Sequence, residues 1–355
     1  MSAWNRRGFL GGIGVLAVGG LLAACGSDDS TPPAVPTGPE AEGPTPAVTS
    51  DQMASYLKAV HTAVKKADDD LDAKALAPRV IGSAASFRKD TYSILSKNED
   101  WIAKNDKDFR TSALARPGEK AVVPITSTTS DFPRTAIALV EADGDDDAAP
   151  YFMILQQKDA RSPYATWGWA QQAVGVDMPT VPSAKVGSEA VDGKADDLLM
   201  TPADAMTLYS EVLAWGGGKD PKKQLASDPF LTQTHKDIQE ERKQLNKGVK
   251  KDEVGTIREI YTPVKDEIAG LRTDDGGAIV LGTMTSKRTL KVTDGSKVSY
   301  GEDNIYTTII GTRTFTKEYV REYGTTVALY IPPKGSDAKV QPIGATRAVI
   351  GASGE

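Results

Sequence analysis

The 355-residue chain carries 42 Lys plus Arg against 48 Asp plus Glu, a formal net charge of −6, with two histidines and one cysteine. An acidic balance argues against nucleic acid or anionic lipid headgroups as partners. A lone cysteine excludes an internal disulfide and thiolate metal sites, and His61 and His235 give little from which to build a histidine-based catalytic centre.

Residues 1–24 have the three parts of an export signal: Arg6 and Arg7 at the start, an apolar run from Phe9 to Leu22, and small residues before the cut. A membrane span needs about 20 apolar residues. This run is shorter and diluted by five glycines, so it reads as removed. Leu22-Ala23-Ala24-Cys25 resembles the lipobox of bacterial lipoproteins. That resemblance implies acylation of the Cys25 thiol, cleavage before it, and anchoring to the outer face of the cytoplasmic membrane through two or three acyl chains. Asn5-Arg6-Arg7-Gly8-Phe9-Leu10 also resembles the twin-arginine motif, while paired arginines serve ordinary secretory leaders too, so export by either route fits. Without the leader, the net charge is about −8. Residues 25–49 are Pro-rich and hold no aromatic side chain, which predicts a disordered tether.

Thr49 to Gln52 fits a capping box, and Met53, Leu57, Val60 and Val64 follow at helical spacing. Further helices are expected over 69–77 and 84–95. After Gly118 the period changes to alternation, predicting strands at 121–126, 135–141, 151–157 and 166–174. Residues 181–200, poor in aromatics and broken by Pro182 and Gly187, read as a linker between a first unit, 50–180, and a second, 201–355. Thr201-Pro202-Ala203-Asp204 opens the second unit as a capped helix. A polar helix over 229–247 follows, then strands at 256–261, 278–292, 297–300, 306–315, 325–331 and 345–350, with Asp275-Gly276 and Asp294-Gly295 as hairpin turns. Helices before an antiparallel meander, twice, is an α+β order.

That order, with Arg79, Gly82, Phe87-Arg88, Tyr92, Phe132-Pro133-Arg134, Trp167, Trp169, Met178-Pro179 and Thr201-Pro202, resembles a group of uncharacterised actinobacterial lipoproteins. Their two halves look like the cone fold of nuclear transport factor 2 and ketosteroid isomerase. The resemblance implies two tandem cones and supplies no activity.

Arg79, Arg88 and Arg134 suit either an anion pocket or a buried network tying helices to sheet. Trp167 and Trp169 alternate on one strand and are expected on one face, in the core or lining a pocket. Asp143, Asp145 and Asp147 mimic a calcium loop, but Ala148 and Ile154 occupy the positions that need glycine and glutamate. No cofactor or metal is implied. Lys247, Lys250 and Lys251 beside Glu240, Glu241 and Asp252 read as a solvated mixed-charge face. The expected role is a non-catalytic binding or scaffolding module for an envelope protein or small hydrophobic ligand. The alternatives are an isomerase-like site, drawn from Tyr92, Tyr151, Tyr164, Tyr306 and Glu141, and a spacer without ligand.

Overall fold

The computed structural model describes residues 45–129, 131–145, 147–215 and 220–355. The leader, Cys25, most of the tether and Gly216-Gly217-Gly218 lie outside them. Helix α1 (Ser50–Asp70) opens on the predicted box: Thr49 Oγ1 accepts from Gln52 N at 3.2 Å and Gln52 Oε1 from Thr49 N at 2.9 Å. Its Met53, Leu57, Val60, Val64 and Ala67 form one buried stripe. A 3-10 turn (Ala73–Leu76), α2 (Gly82–Lys97), α3 (Glu99–Asn105) and α4 (Lys107–Ala113) precede β1 (Pro117–Thr126), β2 (Arg134–Ala142), β3 (Tyr151–Gln157) and β4 (Ala165–Gln171). These four strands make an antiparallel meander in sequence order.

After β5 (Ala190–Asp192), α5 (Pro202–Leu213) and α6 (Pro229–Leu245), the second sheet is built from β6 (Gly255–Arg272) and β7 (Ala278–Val292). Beyond a small excursion of β8 (Val298–Ser299), α7 (Ile305–Ile310) and β9 (Thr314–Phe315), it is completed by β10 (Glu318–Ile331) and β11 (Gln341–Gly354). The strand order is β11-β10-β7-β6-β5. Residues 181–200 are therefore woven into this sheet through β5, which pairs Ala190 with Leu271 and Asp192 with Ala269.

Strand alternation sorts the side chains into layers. Ala136, Ala138 and Val140 of β2 and Met153 and Leu155 of β3 pack under α1, while Ile137, Phe152 and Ile154 face the other way. There they meet Leu271, Ile279, Leu281 and Ala328 of the second sheet. On the far side of that sheet, Val280, Met284, Val327 and Leu329 pack against Met206, Tyr209 and Leu213 of α5. The result is helix, sheet, sheet, helix, and residues 43–355 form one compact unit. The α+β expectation holds.

Several local readings are corrected. The segment 306–315 begins as α7: its β-branched run suggests a strand, but Asn304 Oδ1 accepts from Tyr306 N and Thr307 N, and Gly311 at φ +82° ends the helix. The 69–77 helix is the end of α1 followed by the 3-10 turn, divided at Leu71 with φ +49°. Asp294-Gly295 leads out of the sheet rather than into a hairpin, since β7 is flanked by β6 and β10. Trp167 and Trp169 occupy opposite faces. A bulge opposite Ile154 to Gln156, in which Thr166 Oγ1 donates to Gly168 O, turns Trp167 into the inter-sheet core and leaves Trp169 under the helices.

The two halves are joined at the start of α2. Glu267, on the irregular stretch of β6 between Pro263 and Ile268, accepts from Ser83 N at 2.8 Å and from Thr283 Oγ1. It thus satisfies an orphan donor of the first half from the second. Gly82 sits at φ +55°, and a Cβ there would fall 2.1 Å from Glu267 Oε1. Gly82→Ala is therefore expected to cost about 2 kcal/mol or more through strain and the lost cap, read as a lower urea midpoint with unchanged slope.

Candidate functional site

Ala84, Phe87, Arg88 and Thr91 share one face of α2 and look onto the seam between the halves. With Trp169, Ala113, Ala115, Thr326, Thr346 and Ala348 they line a largely apolar, partly open cavity of about 60 Å³. That volume holds a few water-sized groups, so a ligand would insert one small moiety rather than be engulfed. Gly324 lets the wall approach: a Cβ there would lie 2.5 Å from the Phe87 ring. Arg88, 5 % exposed, closes the floor. It donates to Ala113 O at 3.1 Å and Ala115 O at 2.7 Å, satisfying carbonyls at the end of α4, and lies 5.4 Å from the Trp169 ring centroid.

Behind the cavity, each half contains a buried polar layer. In the first, Asp68 accepts from Tyr92 Oη at 2.7 Å and Arg116 at 2.9 Å, with Arg88 at 3.4 Å. Arg116 continues to Asp143, whose Oδ1 is 3.1 Å from His61 Nε2. Burial, reinforced by the Asp68 carboxylate, pushes the Tyr92 phenol far above its ordinary value. In the second, fully buried Glu259 accepts from Ser286 Oγ at 2.9 Å, Arg288 Nε at 2.7 Å and Arg347. Arg347 lies across Tyr323, 3.4 Å from the ring centroid, and Glu241 of α6 pairs with Arg321 and Arg288. Tyr209 Oη donates to Asp228, which also caps α6 by accepting from Leu231 N at 3.1 Å. Burial raises Asp228 above the usual carboxylate range.

Of the predicted site residues, Arg88 and Trp169 meet at the cavity. Arg79 donates to Tyr164 O at 3.1 Å, and Arg134 lies 4.7 Å from the Phe132 ring centroid. Trp167 Nε1 donates to Gln156 Oε1 at 2.7 Å inside the inter-sheet core. Asp145 Oδ1 accepts from Asp147 N and Ala148 N in a loop turn. Arg6, Arg7, Leu22, Ala23, Ala24 and Cys25 lie outside the described residues. Among those described, no cluster of three metal-ligating side chains occurs, and no helix is long and apolar enough to cross a membrane.

Sequence reading missed Arg116, Glu241, Glu259, Arg288, Arg321 and Arg347. One signal was available: Ser286 and Arg288 sit in phase with Met284 and Leu290 on β7, so polar groups interrupt an otherwise apolar inward row.

The fold and cavity define a two-sheet α+β protein whose halves share a seam. The chain belongs to the family described as a domain of unknown function (DUF8094), whose profile matches residues 44–354. No curated protein and no solved structure matches it.

Proposed function

We propose that the protein is an exported lipoprotein, anchored through Cys25, that works without catalysis as a binding or scaffolding module, a small ligand entering at the α2 seam. In this reading the two meanders are tandem cones like those of nuclear transport factor 2, in a chain resembling actinobacterial lipoproteins. The observation that supports it is the cavity, where Arg88 and Trp169 of the first half face Thr326 and Ala348 of the second. A ligand there touches both halves and links them. Two buried acid–tyrosine pairs are already committed: Asp68, with Tyr92, to two arginines, and Asp228, with Tyr209, to the α6 cap, while Glu141 is partly exposed and paired with Lys120.

The test is the intact native mass of the acylated chain, purified from its own membranes in mild detergent. Extra mass that leaves on denaturation is expected. Ala348→Leu, which fills the cavity, should remove that mass while changing the melting temperature by only a few degrees. A bare mass equal to the acylated chain overturns the ligand reading in favour of a spacer.

A further inference from the structure

Lys243, Lys247, Lys250 and Lys251 stand exposed around the end of α6, with Val249, 44 % exposed, among them. Most acids nearby in sequence are engaged elsewhere. Glu241 turns inward to Arg321 and Arg288, Arg242 Nε holds Asp252 at 2.7 Å, and Glu253 accepts from Lys250 N at 3.0 Å. Asp237 and Glu240 on the helix and Glu253 after it stay exposed, so the patch keeps an excess of lysine over exposed acid rather than a pure positive charge. Among the described residues, none of the four ammonium groups forms a salt bridge. Lys243, Val249 and Lys251 border an open groove with Trp215, Gln239 and Asn246. The stretch is the solvated mixed-charge face its sequence suggests, with lysines in excess: Glu241 turns inward and Asp252 is held by Arg242, while Glu240 and Glu253 stay exposed.

We propose that this face docks on an anionic bilayer surface. The net negative charge of the chain does not prevent it, because salt screens remote acids beyond about 8–10 Å and an approaching surface meets the local charge. Clustered lysines supply the attraction, and exposed Val249 supplies an apolar contact at the edge of the groove, whose Trp215 side is partly buried against the core.

The geometry of the chain permits it. The groove adjoins the Gly255 end of β6, where Asn246 Nδ2 donates to Gly255 O at 3.2 Å. Residues 45 onward enter at the opposite end, where Gly187 packs near Pro46 and Ser188 Oγ donates to Arg272 O. The two ends are roughly 45 Å apart along β7. The tether residues 26–44 can span roughly 60 Å when extended, so a chain held at Cys25 can lay this face on the same bilayer. Only that reach rests on the lipoprotein reading. The patch itself belongs to the 43–355 unit, whose cores are all internal.

The experiment floats the 43–355 unit with vesicles of phosphatidylglycerol mixed with phosphatidylcholine, and with phosphatidylcholine alone, at low and high salt. Binding to the anionic vesicles only, weakened by salt, is expected. Replacing all four lysines by glutamine should lower the partition coefficient at least about a hundred-fold, with far-UV and thermal signatures unchanged. Equal flotation on neutral vesicles, no flotation, or flotation of the glutamine variant like the wild type overturns the proposal. Calorimetric binding of inorganic phosphate without vesicle flotation also overturns it, and assigns the face to a soluble anion. Acylation of Cys25, read from the mass of its peptide in the full chain, succeeds or fails independently.

Discussion

Asp68→Asn is expected to destabilise the protein by about 3–5 kcal/mol, because it leaves a buried guanidinium without its counter-charge. Asp68 is 2 % exposed and holds Arg88, Arg116 and Tyr92 together. Arg116 keeps a second partner in Asp143, so Arg88 is the group left stranded. Burial already pulls Arg88 below the ordinary arginine value even with Asp68 beside it. The uncompensated charge, rather than a lost contact, therefore dominates the cost. A double variant, Asp68→Asn with Arg88→Met, removes that charge and should be less destabilised than the sum of the single changes, by about 1–3 kcal/mol in a denaturation cycle. Strict additivity would mean that Arg88 is held by the Ala113 and Ala115 carbonyls alone.

Local chemistry made much of the fold readable. Thr49 with Gln52, and Thr201 before Pro202, are side chains that can satisfy helix donors without help from distant residues, and both helices begin where those signals stand. A short run apolar on both faces, bounded by Pro150 and Gln156, located β3 to the residue, and most other strands fell within a few positions. What was not readable depends on partners far along the chain. The bulge that separates Trp167 from Trp169 is an insertion relative to β3, invisible in β4 alone. Residues 181–200 lack the hydrophobic pattern of a strand, and β5 exists because the open edge of β6 accepts it. Tyr306 to Ile310 have strand propensity, overridden by the Asn304 cap and by packing of Tyr306 near Tyr323.

The site divides similarly. Phe87-Arg88 and Trp169 could be singled out because an arginine among apolar residues needs an explanation. That they meet Thr326 and Ala348, more than 150 residues away, follows only from how the sheets pack. The mixed charge of the α6 end was legible in the sequence, but which of its acids face the lysines was not. Helical phase turns Glu241 under the sheet-facing side, and Arg242 captures Asp252, which leaves the exposed balance in favour of lysine.

Glu259→Gln is expected to have the other large effect, about 3–5 kcal/mol or roughly 10 °C in melting temperature, together with a change in acid sensitivity. Glu259 is fully buried between Arg288 and Arg347. Burial alone pushes its carboxyl up. The guanidinium groups of Arg347 and Arg288, with the Ser286 hydroxyl, more than offset that and hold it below the usual glutamate value. A carboxyl whose folded value is depressed contributes stability that is present above its unfolded value, about 4.3, and that is lost as pH falls through the folded value. Asp228 acts in the opposite sense. Its raised folded value means that the folded state binds the proton more readily, so its contribution declines as pH rises from the unfolded value, about 3.9, through the folded one. Urea midpoints taken from neutral pH downward should therefore fall more steeply below pH about 4 for the wild type than for Glu259→Gln. Asp228→Asn should remove the opposing slope and lose stability in acid more steeply than the wild type. If Glu259→Gln and the wild type lose stability in parallel, the Arg288–Glu259–Arg347 layer does not carry the acid sensitivity.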